Sequence, residues 1–369
     1  MKTSTLAAER RSKLAAAMTA AGVDVLVAYG NGWQGDYLMY VSDFPILEGH
    51  GLAVLTPDGA CRLYLDSASE IDRATAETAE VEVRFSQQIG RDVAADLKAR
   101  GNVRVSAAPL AFVPFGLIEN APGTIGDATA IVDACLMHKT PAEVDRVRKA
   151  AQTADDAYVI FRQAAQEGRK QYEVVAETES WLRAHGVADN FMLIGSGGTD
   201  IRSVTPPSNR RLAKGDNVIT ELTPAIEGYF AQICRTLVVG KASDAQKRAY
   251  DIYIEALEAG IAAVKPGALA SDVARAENDV FRKYDMGEYV TSAYTRVRGH
   301  GLGLFADSKP HILEDVDIEL KPGMTFVVHP NTYNPNVGYM MLGDSLTVTE
   351  TGCEVFTTTP RVLFDGASN

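Results

Sequence analysis

The chain has 369 residues, 46% of them hydrophobic and 23% charged, and a net charge of −12 from 36 basic and 48 acidic side chains. The length exceeds one ordinary core and predicts a two-domain globular enzyme, and the acidic balance argues against general binding to nucleic acid or an anionic membrane. No apolar run reaches the ~18–20 residues that cross a bilayer, and Cys61, Cys135, Cys234 and Cys353 form neither a CxxC zinc knuckle nor a disulfide framework.

The N-terminal stretch carries basic residues without an apolar signal core, which points to a cytoplasmic protein. It reads as an amphipathic helix with Leu6, Leu14 and Met18 on one side, running into a strand over Val23–Tyr29. Next comes GNGWQGDYLMYVSDF, where Trp33, Tyr37 and Tyr40 have a spacing that suits packing on a helix. A hairpin follows over Gly51–Asp66, turning at Pro57-Asp58-Gly59. Helical SASEIDRATAETA, the strand VEVRF, helical VAADLKARG and the strand VRVSA complete a small α/β domain over residues 1–134. It holds no glycine fingerprint after a strand and no GxxxxGK[ST], so nucleotide binding has no support.

Residues 135–369 read as an α+β domain. Its first long helix starts with a capping box, Thr140 before Pro141 and Glu143 three residues after the cap. A second helix stops at Gly186, and strands and glycine loops dominate from Phe191 onward. Helical stretches over Ala242–Lys265 and Leu269–Lys283 precede a glycine-rich loop at Gly299. Asp216–Gly240 reads as a hairpin around the turn Ala225–Gly228. Side chains alternate between faces in a strand, so Ile219, Glu221 and Thr223 share one face, as do Phe230, Gln232, Cys234 and Thr236. A carboxylate, an amide and a thiol among apolar neighbours need partners if buried, which makes this face a candidate site.

From about Lys139 to Gly352 the chain resembles the creatinase, aminopeptidase P and prolidase family (peptidase M24). The matching stretches are KTPAEVDRVRKAA, GYFAQICRTLVVG, GHGLGL (Gly299–Leu304), KPGMTFVVHP (Lys321–Pro330) and GDSLTVTETG (Gly343–Gly352). The resemblance implies a pita-bread C-terminal domain preceded by a smaller creatinase-like α/β domain. It also implies a homodimer in which the N-terminal domain, Trp33 included, caps the neighbouring subunit's cleft. Family peptidases hold two metal ions with two Asp, one His and two Glu. By resemblance these positions fall on Glu221, Gln232, His300, His329 and Gly343, and only His300 is kept. Two adjacent cations need several anionic oxygens, which neutral Gln232 and bare Gly343 do not supply. Two further family histidines fall on Asp307 and Val204, and a creatinase glutamate falls on Cys234.

These departures lead to the expectation of a creatinase-like hydrolase that needs no metal or other cofactor and is not a peptidase. It would cleave a C–N bond in a small polar metabolite. His300 and His329 would share the proton transfers, since imidazoles titrate near working pH, and Glu221 would orient one of them. Gln232 and Cys234 would contact substrate or sit as a satisfied interior amide and a small buried hydrophobe. Arg202 and Arg298 are candidate carboxylate clamps, and Asp307 and Asp344 candidate partners for a cationic group. One alternative is a single ion on Glu221, His300 and His329 supporting hydrolysis or elimination. Another is a binding module without catalysis.

Overall fold

The computed structural model describes residues 4–366, which divide into two compact units, Met1–Leu136 and Met137–Asn369. In the first unit, α1 (Ser4–Ala21) leads into β1 (Val25–Asn31). After α2 (Asp36–Ser42) come β2 (His50–Leu55), β3 (Cys61–Leu65), α3 (Ser69–Glu77) and β4 (Val81–Phe85). The unit closes with α4 (Ile89–Ala99), β5 (Val105–Ala108), α5 (Phe115–Ile118), β6 (Gly126–Asp127) and α6 (Thr129–Met137). The strands form one mixed sheet in the order β4-β3-β2-β1-β5-β6. Period-two alternation places Val25, Val27 and Tyr29 of β1 with Leu52 and Val54 of β2 against Ile89, Val93 and Leu97 of α4.

The aromatic stretch behaves in two ways. Tyr40 is fully buried on α2, and Tyr37 donates to Asp133 Oδ1 at 2.6 Å. Trp33 precedes the helix in a turn where its backbone N–H donates to Asn31 Oδ1, and its side chain is 96% exposed. The packing expectation is therefore corrected for Trp33, because the helical phase begins only at Asp36.

The second unit opens with α7 (Pro141–Ala164) and α8 (Gln171–Ala184). The expected capping box is formed: Glu143 N–H donates to Thr140 Oγ1, and Thr140 N–H donates to Glu143 Oε2. The other Glu143 oxygen accepts from Tyr229 Oη at 2.8 Å, which ties the helix start to the hairpin. β7 (Asp189–Gly197), β8 (Asn217–Ile226), β9 (Tyr229–Phe230) and β10 (Ile233–Val238) follow, then α9 (Asp244–Ala263) and α10 (Ala270–Lys283). The remaining strands are β11 (Gly299–Gly301), β12 (Ser308–His311), β13 (Thr325–Val328), β14 (Thr332–Asn334), β15 (Gly338–Met340), β16 (Asp344–Val348), β17 (Cys353–Val355) and β18 (Phe364–Asp365).

Two sheets result. The order β18-β10-β8-β7 carries α7 and α8 on a shared apolar core, whereas β12-β11-β13-β16-β17 carries α9 and α10. The sheets meet where Cys234 of β10 and Gly343, just before β16, exchange both backbone hydrogen bonds. Beside that seam, fully buried Arg235 donates from Nη2 to Asp344 Oδ1 at 2.7 Å, and Arg361 Nε donates to Asp344 Oδ2 at 2.7 Å. The Arg235 guanidinium also reaches the carbonyls of Cys234, Gly343 and Thr359. Burial pushes the Asp344 carboxyl up, but the two guanidinium groups more than offset it and hold the group ionised. Asp344 is thus spent on the join and is not offered to a cationic ligand.

Candidate active site

The site sits where the two sheets meet. In the β8–β10 pair Glu221 faces Cys234, its Cα partner in the ladder, and Thr223 Oγ1 donates to Gln232 Oε1 at 3.3 Å. The expected second run is broken: Phe230 belongs to β9, Gln232 lies between strands, and only Cys234 and Thr236 share β10. From the second sheet, β11 presents His300, and His329 follows directly on β13. Gly299 and Gly301 flank His300 for a steric reason: a Cβ at either would lie 2.0 Å from Val327 O or 2.2 Å from Lys309 O. The rings of His300 and His329 meet edge to face, with centroids 5.4 Å apart.

Glu221 is partly buried, and burial, followed by the nearby Asp307 charge, pushes its carboxyl up to about 7. Asp307 also lies 3.9 Å from His300 Nδ1, so it neighbours both groups while bonding His311 Nε2 at 3.0 Å. Burial pulls His300 below the ordinary histidine range, with Asp307 acting the other way. His329 is held well below that range by burial and then by His300. His329 Nδ1 is buried and has no hydrogen-bond partner among the described residues. The site thus pairs two neutral imidazoles with a carboxyl that is half protonated near neutral pH, a combination suited to proton transfer.

Several expected contacts are corrected. Arg298 is fully buried, and its guanidinium donates to Asn278 Oδ1 at 2.5 Å, to Asn331 O at 2.8 Å, and to the carbonyls of Val297 and Thr295. Its donors are spent inside, so it does not clamp substrate. Cys234 is fully buried, and burial and then Glu221 push its thiol far up, so it is neither a nucleophile nor a ligand contact. Gln232 is buried with both amide ends engaged, its Nε2 donating to Cys234 Sγ at 3.2 Å, and it stands as an interior amide. Arg202 lies over the Tyr333 ring, 4.1 Å from its centroid. Trp33 belongs to the first unit.

The sequence did not single out the aromatic wall beside the site. Ile219 and Cys234 pack with Ile201, Tyr333, Tyr339 and Met341, and Val204, Tyr289 and Tyr294 lie against them. A signal was available in TYNPNVGYMM, where Tyr333 and Tyr339 are Cα partners across the β14–β15 hairpin.

A pair of metal ions does not fit these residues. Glu221 is the one carboxylate at the five positions that the family resemblance assigns to ligands. Gly343 is fixed by its neighbour: a Cβ there would lie 2.6 Å from His329 Cβ and 3.2 Å from Cys234 Cβ. Among the described residues no group of three or more His, Cys, Asp or Glu is arranged to hold an ion, so the expected single-ion set of Glu221, His300 and His329 is not formed either.

Two sheets with paired helices, meeting at an inward-facing polar site, define a pita-bread domain. Residues 145–350 match metallopeptidase family M24, and the chain belongs to that family. It is 30% identical over 227 residues to the Xaa-Pro dipeptidase of Pyrococcus furiosus, which covers 61% of this chain and 64% of that protein. It is 28% identical over 251 residues to the Xaa-Pro dipeptidase of Lactobacillus helveticus, 67% of either chain. The fold matches the prolidase of Pyrococcus horikoshii OT3 with a TM-score of 0.83 over 96% of this chain and 100% of that one, at 24% identity. It matches the dipeptidase PepE of Mycobacterium ulcerans with a TM-score of 0.82 over 98% of each chain, at 25% identity. These relatives correct the expectation of a metal-independent, creatinase-like hydrolase outside the peptidases, since the curated ones are named Xaa-Pro dipeptidases and the family is one of metallopeptidases. Among the described residues no helix is long and apolar enough to cross a membrane.

Proposed function

We propose that this chain hydrolyses the amide bond of a small peptide-like substrate, of the Xaa-Pro dipeptide type that names its relatives, in the cleft between the two sheets of the second unit. The observation that carries this reading is the meeting of Glu221 on β8 with the edge-to-face His300–His329 pair where the two sheets join, with Asp307 3.9 Å from His300; burial pushes the Glu221 carboxyl up and both imidazoles down. Opposed proton affinities of this kind assign an acid and a base. A neutral imidazole of the His300–His329 pair takes a proton from the attacking water. The protonated Glu221 carboxyl gives one to the departing nitrogen, which leaves as an amine. Asp307, beside both groups, keeps the Glu221 carboxyl protonated to higher pH.

The working form is read as a cytoplasmic homodimer, with exposed Trp33 of one subunit closing the cleft of the other. The test is turnover of a panel of Xaa-Pro and non-proline dipeptides by the purified full chain, run with added divalent cations and after chelation. Release of free amino acids from at least one dipeptide is expected. Saturable binding with no cleavage under either condition would replace the hydrolase with a binding protein for the same compounds.

A further inference from the structure

Arg202 is placed unlike most arginines of the second unit. Arg210, Arg235, Arg275, Arg282 and Arg296 each pair with a carboxylate. Among the described residues no carboxylate pairs with Arg202, whose guanidinium carbon instead lies 4.1 Å from the centroid of the Tyr333 ring. Stacking on an aromatic face fixes the plane of the guanidinium while its N–H groups point outward in that plane, where a carboxylate can take two of them.

The platform under Arg202 is itself rigid and belongs to the wall of the site. Tyr333 Oη donates to Thr199 O at 3.0 Å, and its ring stacks on Tyr294 with centroids 5.7 Å apart and an interplanar angle of 19°. Tyr289 closes edge-on against Tyr294 at 4.8 Å. Across the hairpin Tyr339, whose backbone N–H donates to Ile201 O at 3.2 Å, packs in the same cluster as Cys234, the ladder partner of Glu221. Tyr339 is close enough to Glu221 to feel its charge, so one aromatic cluster has Glu221 beside Tyr339 and Arg202 over Tyr333.

We infer that Arg202, held on Tyr333, is the anchor for the free carboxylate of the substrate, with the Tyr289–Tyr294–Tyr333 surface receiving the apolar side chain or ring beside that carboxylate. The inference rests on the peptide-like substrate class proposed above. It makes Arg202 a specificity residue that selects compounds with a free C-terminal carboxylate over the same compounds capped as amides. It replaces Arg298, the other arginine considered for that task, whose donors are spent in the core.

The experiment compares leucyl-proline with leucyl-prolinamide on the full chain, by calorimetric binding and by steady-state kinetics. The wild type is expected to prefer the free carboxylate at least tenfold in Kd and KM. Arg202→Met should erase that preference, raising Kd and KM for leucyl-proline at least tenfold towards those for leucyl-prolinamide, and Arg202→Lys should restore only part of it, because an ammonium lacks the planar fork. Tyr333→Leu, which removes the platform, should weaken the preference as well. Binding preference without any cleavage would defeat the hydrolase reading and leave the anchor standing. A wild type that binds both compounds alike or neither, or an Arg202→Met variant that keeps the preference, would overturn the anchor.

Discussion

His300→Gln and His329→Gln should each lower kcat by about 10²–10⁴-fold, the usual span for loss of one general acid–base group, with melting temperatures near that of the wild type. The two rings touch edge to face, so their losses should not add: the double variant should be little worse than the more damaged single one. Glutamine keeps the size and hydrogen-bonding capacity of the ring but cannot take up a proton in this range, which separates proton transfer from packing. His329 has the sharper case of the two. Its buried Nδ1 has no hydrogen-bond partner among the described residues, which leaves it open to a substrate atom or a proton. A His329→Gln variant with wild-type kcat would remove that residue from the chemistry.

Asp344→Ala should destabilise the second unit by about 3–5 kcal/mol, because it strands the fully buried Arg235 charge at the seam between the sheets. The comparison is Arg361→Met. Arg361 is partly exposed and meets water once its partner is gone, so its loss should cost about 1 kcal/mol or less. Replacing Arg235 and Asp344 together with apolar residues should recover much of the loss. Urea unfolding followed by tryptophan fluorescence suits this test: of the two tryptophans, Trp33 is already exposed, and Trp181 on α8 stacks on His185 in the second unit. The pH dependence follows from the same charge. Asp344 has a folded-state pKa below its unfolded value, so its contribution is present above the ordinary carboxylate range and is lost as pH falls through the lowered value. An Asp344→Ala variant within 1 kcal/mol of wild type would show that the buried network is not what joins the sheets.

The candidate groups were legible in the sequence because their spacing is local. Period-two alternation marked Glu221 on one strand and Gln232 with Cys234 on the next, and the ladder supplies the register, Cys234 opposite Glu221. His300 stood out between glycines that the close approach of neighbouring backbones requires. Which of these groups remain available was not legible, because that depends on partners far along the chain. Arg298 is taken up by Asn278 and Asn331, and Asp344 by Arg235, 109 positions earlier. Protonation states were hidden for the same reason: nothing within β8 raises Glu221, whereas burial and Asp307 from the loop between β11 and β12 do. The expectation of a non-peptidase gave lost ligand positions more weight than the metallopeptidase family match, whose relatives include Xaa-Pro dipeptidases.

The most direct measurement is the pH profile of kcat/KM on a cleaved dipeptide for the wild type and for Glu221→Gln, since that parameter reports the ionisations of the free enzyme. With Glu221 as the proton donor, wild-type activity should fall as pH rises through about 7. It should also fall on the acid side, at a pH below the ordinary histidine range, as the imidazoles become charged. Glu221→Gln should be slower by about 10²–10⁴-fold and should lack the alkaline limb. A Glu221→Gln enzyme with the wild-type rate, or with the same limb at the same pH, would contradict the assignment.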